Sequence, residues 1–205
     1  MTADDATSSP AAGPGPDAHL IERPLASETR LQGGFLTVKL DTVRLPDGGT
    51  ATREFVVHPG AVVVVPVLDD GRLVLVRQFR YPLGRVLLEF PAGKIDPGEA
   101  ILSCARRELQ EETGYTAREW ARAGLIHNAA AYSTERIELW FARGLVAGAQ
   151  RLDAGEFLEV VAVTEDELDA LASRNELTDV KTLVGLQWLQ KWRAGRWALP
   201  WQPAP

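Results

Sequence analysis

Apolar and polar positions alternate along Gly34–Leu45 (GFLTVKLDTVRL), and the run ends in Pro46-Asp47-Gly48-Gly49. That pattern predicts a strand closed by a tight turn, with Thr50–His58 as the return strand. Ala61–Leu68 (AVVVVPVL) is continuously apolar, as a strand buried on both faces must be. Asp69-Asp70-Gly71 then turns the chain into a further strand, Arg72–Phe79. Arg85–Pro91 reads as a short strand and Ala92–Glu99, with two glycines and a proline, as a loop. Helical periodicity is clearest over Ala100–Thr113, where Ile101, Cys104, Ala105 and Leu109 share one face and Gly114 stands at the stop. Strand-like runs follow at Glu119–Leu125, Arg136–Arg143 and Leu158–Val163. Glu165–Ala172 and Val180–Arg193 read as helices, the second continuing toward Trp197. Strands mixed with a few helices, without regular βαβ alternation, predict an α+β fold around a mixed sheet.

Composition narrows this picture at the N-terminus first. Residues 1–18 are rich in Ala, Pro, Gly, Ser and Asp and bury too little apolar surface to offset their ordering entropy, so a disordered tail is expected there. Residues 19–205 are expected to form a single domain, with 19–58 as an N-terminal strand region. The start of the chain is acidic and lacks the apolar core of a signal peptide, and no run of 18 apolar residues suggests a membrane span. One cysteine, Cys104, excludes an intramolecular disulfide framework and fits a reducing, cytoplasmic setting. A net charge of -6 argues against a nucleic-acid binder, because phosphate contacts need a basic surface. A small anionic substrate remains open if a cation is recruited to meet it.

The predicted helix carries the chemistry. Glu108, Glu111 and Glu112 stand at i, i+3 and i+4, so Glu108 and Glu112 lie one turn apart on one face with Glu111 beside them. Such like charges destabilise a helix unless something neutralises them. Carboxylate oxygens suit hard cations, and Mg2+ commonly takes one or two carboxylates plus substrate phosphates and waters. Arg107 lies four residues before Glu111 and can pair with it. By themselves the three glutamates fit a solvated acidic helix face better than a metal site.

The surrounding spacing decides between the two. Gly93, Glu99, Arg107, Glu108, Leu109, Glu111, Glu112, Gly114 and Tyr115 fit the pattern Gx5Ex7REUxEExGU, in which U is apolar. This segment resembles the Nudix box, the signature of the Nudix hydrolases, with Tyr115 a mild variant at the last position. The resemblance implies a Nudix fold, an α/β/α sandwich with a central mixed sheet and an N-terminal antiparallel strand region. It also implies hydrolysis of a nucleoside diphosphate linked to another moiety. Carried over, Glu108 and Glu112 would be the main Mg2+ ligands, Glu111 would assist, the backbone carbonyl of Ala92 would be a further ligand, and Arg107 would orient the glutamates. Glu99 would be auxiliary or serve the helix start. Mn2+ is the expected substitute metal.

The likeness extends over roughly Leu20–Trp192. VRQFRYP (Val76–Pro82), LLEFPAGKIDPGE (Leu87–Glu99) and HPGAVVVVPV (His58–Val67) are similar to the ADP-ribose pyrophosphatase branch. In that branch the residues matching Arg80 and Glu89 lie close to substrate. Arg80 would pair with a phosphate or ribosyl oxygen, or alternatively form a salt bridge with Glu89. Arg53 and Glu54 are candidates for the adenine side. GEFLEVVAV (Gly155–Val163) resembles the branch's mobile loop, whose glutamate, here Glu156, completes the metal site or helps activate water; Asp153 and Glu159 are the fallback positions. YSTER (Tyr132–Arg136) resembles the substrate-side loop, with Ser133 and Glu135 as ribose-side contacts. Ala130 stands where ADP-ribose enzymes commonly carry proline.

The implied reaction is attack of water on the diphosphate bridge, with ADP-ribose giving AMP and ribose 5-phosphate. Other nucleotide sugars, NADH or a nucleoside triphosphate are the alternative substrates. A non-catalytic ADP-ribose-sensing module is the rival from another class, but it would predict a damaged box or an attached DNA-binding domain. No nucleic-acid or membrane partner is expected. The branch is homodimeric through its N-terminal strands, which makes 19–58 the candidate dimerisation region and Phe35 a candidate aromatic at the adenine site. Trp188 and Trp192 share a helix face, which suits core packing or a subunit interface. Cys104, on the apolar side of its helix, reads as a small buried hydrophobe.

Overall fold

The computed structural model describes residues 15–204. The expected tail lies, for residues 1–14, outside the described residues; Ala18–Leu20 forms a short 310 turn. The chain divides into two compact units, Met1–Val57 and His58–Pro205.

The first unit is an antiparallel sheet of β1 (Arg23–Gln32), β2 (Thr37–Arg44) and β3 (Thr50–Val57), in that order. The expected hairpin is present, with Asp47 Oδ1 accepting from the Gly49 N–H at 2.8 Å in its turn. β1 is an addition to the sequence reading. All ten of its residues are exposed, so it lacks the one-sided burial that would write a period of two into its sequence.

The second unit runs through β4 (Ala61–Pro66), β5 (Leu73–Arg80), β6 (Arg85–Glu89), β7 (Ala92–Lys94), α1 (Ile101–Thr113), β8 (Tyr115–Ile126), β9 (Ile137–Ala147), β10 (Leu158–Val163), α2 (Glu165–Ser173), α3 (Val180–Arg193) and β11 (Gln202–Pro203). One mixed sheet has the order β11-β8-β9-β4-β7, with β4 and β9 parallel; the other is antiparallel β10-β5-β6. These sheets, the three α-helices among the described residues and the N-terminal antiparallel sheet match the architecture that the resemblance implies. Ala92–Lys94, read as loop, is a strand because it pairs with Ala61–Val63 of β4.

β4 is buried along its length because it serves two cores. Val62 and Val64 face α1 with Cys104, Ala105, Leu109, Trp120 and Trp140. Val63 and Val65 face the opposite side with Leu75, Phe90, Phe141, Leu186 and Leu189. Alternate side chains of a strand point to opposite faces, so a strand sandwiched between layers must be apolar throughout.

The helix ends are chemically marked. Thr164 and Glu167 form a capping box on α2. Asp179 caps α3 by accepting from the Thr182 N–H at 2.9 Å. α3 stops at Arg193 and does not continue to Trp197: Gly195 takes φ +66, a left-handed value that breaks helical bonding. The chain then folds back so that Trp197 meets Trp188 (ring centroids 4.2 Å apart) and Trp201 meets Trp192 (5.5 Å). Trp188, Trp192 and Trp201 pack on the second core, as the core-packing reading expects. No helix among the described residues is long and apolar enough to cross a membrane.

α3 approaches the sheet closely through Gly185, where an added Cβ would lie 2.9 Å from the Phe90 ring and 3.0 Å from Val65. Overpacking of this kind costs about 1–3 kcal/mol, against a helix-propensity gain of up to about 1 kcal/mol for Gly→Ala. Gly185→Ala is therefore expected to lower the melting temperature by a few degrees; an unchanged or higher value in a thermal melt would refute the close packing.

Candidate active site

The site assembles where α1 meets β7. The backbone of β7 runs flush against the α1 carboxylates: a Cβ on Gly93 would sit 2.0 Å from the Glu108 carboxylate. One residue earlier, the Ala92 N–H donates to Glu112 Oε2 at 3.2 Å. Only a side-chain-free position lets the strand come so near the helix, which is the physical reason for a glycine here.

Of the two glutamates one turn apart, Glu112 is buried and Glu108 is partly buried. Glu112 is 4% exposed. Burial, then the charges of Glu108 and Glu156, pushes its carboxyl up to about 8, against the opposing Ala92 N–H and Arg80. Burial also raises Glu108, with Arg107 opposing and Glu111 and Glu156 adding to the rise. Glu156, on the loop before β10, thus belongs to the same electrostatic cluster. It is held by Gln78 Nε2 and the Asp153 N–H, both at 3.4 Å. Of the fallback carboxylates, Glu159 is engaged elsewhere, 2.5 Å from Arg77 Nη1 across the strand pair.

Arg107 is the hub on the open side of the helix. It donates to both Glu99 oxygens (2.9 and 2.8 Å), to Glu108 (2.6 Å), to Glu111 (3.1 Å) and to the Lys94 carbonyl (3.1 Å). The expected Arg107–Glu111 pair is present, and Glu99 is a fourth member of the cluster. The Arg107 hydrogen bonds hold Glu99 down to about 2. Cys104 is buried, and burial pushes its thiol up to about 12, which suits a packing residue and not a nucleophile.

A second charged group adjoins the first. Arg80 donates to Glu89 through Nε and Nη2 at 2.7 and 2.8 Å, so the salt bridge given as the alternative role of Arg80 forms. Lys181, from the first turn of α3, also donates to Glu89 and reaches Asp179 at 2.8 Å. Burial pushes Glu89 up, but the Arg80 hydrogen bonds and the Lys181 charge outweigh it and hold the carboxyl below its usual range. Arg80 senses Glu112 electrostatically, which joins the two groups.

Sequence reasoning did not find Lys181, because a lone lysine on a helix has no pattern and its partner lies far off in the chain. Glu89 is 1% exposed, so Lys181→Met leaves a nearly buried carboxylate with a single partner. Breaking a buried pair costs about 3–5 kcal/mol. For a chain of this size that is roughly 6–20 °C in melting temperature at about 2–4 °C per kcal/mol. A loss under 2 °C in a thermal melt would show that Lys181 is dispensable.

The remaining candidates lie apart from these glutamates in the hydrogen-bond network. Glu135 accepts from Asn128 at 2.8 Å and stands 3.7 Å from His58 Nε2, and Ser133 Oγ accepts from the Glu135 N–H. Among the described residues, neither bonds to the α1 carboxylates. In the N-terminal unit, Arg53 pairs with Glu22 and stands opposite Asp41, Glu54 stands opposite Leu40, and Phe35 is exposed between β1 and β2.

No three acidic, histidine or cysteine side chains among the described residues form a ready-made metal cage, and Arg107 pairs with Glu108 and Glu111. The donor set nonetheless fits a hard divalent cation. It offers oxygen ligands only, and one of the carboxylates, Glu112, is buried at a cost that a cation would offset.

The chain matches the NUDIX domain model over residues 57–183 and the nucleoside diphosphate sugar hydrolase N-terminal domain model over 22–56. It is 38% identical over 173 residues to the ADP-ribose pyrophosphatase of Bacillus subtilis (strain 168), covering 83% of this chain and 94% of that one. It is 35% identical over 171 residues to the methanol dehydrogenase activator of Bacillus methanolicus, covering 82% and 92%. A crystal structure of an ADP compounds hydrolase superposes with a TM-score of 0.76 at 25% identity, covering 85% of this chain and 95% of that chain.

Proposed function

This chain belongs to the Nudix hydrolases, a family that generally uses a divalent metal, and from that membership we propose that it hydrolyses ADP-ribose to AMP and ribose 5-phosphate with Mg2+. The observation that carries the reading is the close seating of Glu108 and Glu112 against β7, with Glu112 buried beside the charges of Glu108 and Glu156 and near an arginine already oriented by a buried glutamate. Glu108 and Glu112 would hold the metal, with Glu111, the Ala92 carbonyl and Glu156 adding oxygens; Mn2+ would substitute. Bound there, the ion would screen the diphosphate and lower the pKa of a water.

The protein's own groups do the positioning. Arg107 holds Glu108 and Glu111 in place before the metal arrives. The Ala92 N–H fixes the Glu112 oxygen that it contacts. Arg80, its Nε and Nη2 committed to Glu89, would present the other edge of its guanidinium to a phosphate oxygen. Glu156 sits on a loop and would accept the proton of the attacking water from outside the helix. On the same proposal, Ser133 and Glu135 contact the substrate's ribose. The fully exposed β1 supports a homodimer built through the N-terminal strands, since an uncovered edge strand invites pairing.

A hydrolysis screen tests the substrate. With Mg2+, ADP-ribose should give the highest kcat/KM among nucleotide sugars, NADH and nucleoside triphosphates, and EDTA should abolish turnover. Saturating Mg2+ should also raise the melting temperature, as any ligand specific to the folded state does. A different preferred diphosphate would refute ADP-ribose but not the pyrophosphatase; Mg2+-independent turnover would refute the metal assignment.

A further inference from the structure

Glu89 holds more cations than its own charge needs. Arg80 already engages both oxygens of this buried carboxylate, Oε1 through Nε and Oε2 through Nη2. Lys181 adds a further donor on Oε2, with 12% of its own side chain exposed. A buried ion pair is often no more stable than apolar side chains of similar volume, so stability alone gives no reason for a second cation here.

The first turn of α3 is a fixed platform for that lysine. The Phe90 N–H donates to Thr182 Oγ1 at 2.9 Å, next in the chain to Glu89. Arg85 Nη2 donates to Thr178 Oγ1 at 2.8 Å, which ties the other end of β6 to the residues before α3. Asp179 accepts from the Thr182 N–H and hydroxyl at 2.9 and 2.6 Å, and from Lys181 at 2.8 Å.

The charges of this group do not cancel. Arg80 and Lys181 bring two positive charges to Glu89. Asp179 meets Lys181 as well, but it also faces the N-terminus of α3, where the helix dipole amounts to about half a positive charge. The surplus has an outlet on Arg80. Its side chain is 38% exposed, and its Nη1 makes no hydrogen bond among the described residues. The Glu112 charge acts on it, so Arg80 lies within electrostatic reach of the α1 carboxylates. Without Lys181, Glu89 would spend its whole charge on Arg80, and the guanidinium would bring little net charge to an anion.

We propose that Lys181 is a positioning residue for the substrate's diphosphate: it acts through Glu89, holding that carboxylate and offsetting its charge so that Arg80 keeps its second edge for a phosphate oxygen. The inference rests on the proposed function only in taking a diphosphate as the group to be bound.

Methylenediphosphonate is the probe, because its P–C–P bridge cannot be hydrolysed and its shape is common to the candidate substrates. It is titrated into the protein by calorimetry at constant free Mg2+, well below the melting temperature of every variant. Lys181→Gln should raise Kd on the order of 10-fold, the scale of one charge-assisted hydrogen bond. Lys181→Arg keeps the charge and should stay within about 3-fold of the parent. The decisive arm repeats Lys181→Gln in an Arg80→Lys background, where Glu89 keeps a cation but the second guanidinium edge is gone. There Kd should move by less than about 2-fold, because the two residues act as one unit, while the melting temperature still falls. With the substrate that the parent hydrolyses, Lys181→Gln should raise KM and leave kcat nearly unchanged, as loss of binding shared by ground and transition states does.

A residue that only held the fold would lower the melting temperature and shift Kd equally in both backgrounds, or not shift it at all. Either result, a Lys181→Arg variant as weak as Lys181→Gln, or a parent that does not bind the probe would overturn the proposal. Lys181-dependent binding without ADP-ribose hydrolysis would overturn the substrate and keep this inference. ADP-ribose hydrolysis with Kd and KM unmoved by Lys181→Gln would do the reverse.

Discussion

Glu112→Gln is expected to abolish turnover and, at the same time, to raise the thermal stability of the metal-free protein. Loss of a charged ligand removes several kcal/mol of transition-state charge stabilisation. At about 1.4 kcal/mol per factor of ten, the rate falls on the order of 1,000-fold or more. The stability change has the opposite sign because the carboxylate is buried at a cost. In the folded chain its carboxyl is pushed up to about 8 from an ordinary 4.5, burial being the largest cause. A raised carboxyl contributes stability that is fully present below 4.5 and is lost as pH rises through 8. Glutamine carries no such dependence. The melting temperatures of the two proteins in EDTA should therefore coincide at low pH and separate in favour of the variant between those values. At about 1.36 kcal/mol per pKa unit, the gap reaches a few kcal/mol. Mg2+ should narrow it by stabilising only the parent. Hydrolysis retained at saturating Mg2+ would remove Glu112 from the site, and parallel pH profiles would refute its costly burial.

Gly93→Ala separates function from stability in a different way. The new Cβ would fall 2.0 Å from the Glu108 carboxylate, so one of them must move. What it meets is the end of a long side chain and not backbone or packed core. Glu108 can therefore swing aside at small energetic cost, and the expected stability change is about 1 kcal/mol or less. Activity is where the loss appears, because a displacement of about 1 Å in a reacting group can cost about 100-fold. Turnover at saturating substrate should drop by that order, while the thermal melt and circular dichroism stay close to the parent. A variant with full activity would show that Glu108 does not act from its observed position.

The helix-borne part of this site is legible in the sequence because all its members are local. Arg107, Glu108, Glu111 and Glu112 lie within two turns, and helical spacing alone gives their faces. Gly93 and Glu99 join them through the strand–loop–helix spacing of the box. Glu89, Arg80 and Lys181 are a different case. Lys181 reaches Glu89 only after α3 packs beside β6, and nothing near it in the chain announces the pair. The same logic runs through the fold. β4 and β9 announce themselves by apolar runs, whereas β7 is a strand only because β4 lies beside it, with Gly93, Pro97 and Gly98 arguing locally for a loop. β11, two residues long, is too short to carry any period and exists by pairing with the edge of β8.

The parallel pairing of β4 with β9 has a consequence for the order in which the molecule is made. Val62 meets Glu138 only after β5, β6, β7, α1 and β8 have been laid down between them. Closing so long a loop is an entropic cost borne before any contact repays it, and such topologies fold slowly. The glutamate-bearing helix α1 lies inside that loop. On the ribosome, a nascent chain that already displays every residue of the box still lacks the strand that completes its sheet. Until β9 has emerged, β4 lacks its parallel neighbour, and the layer against which the helix packs is incomplete.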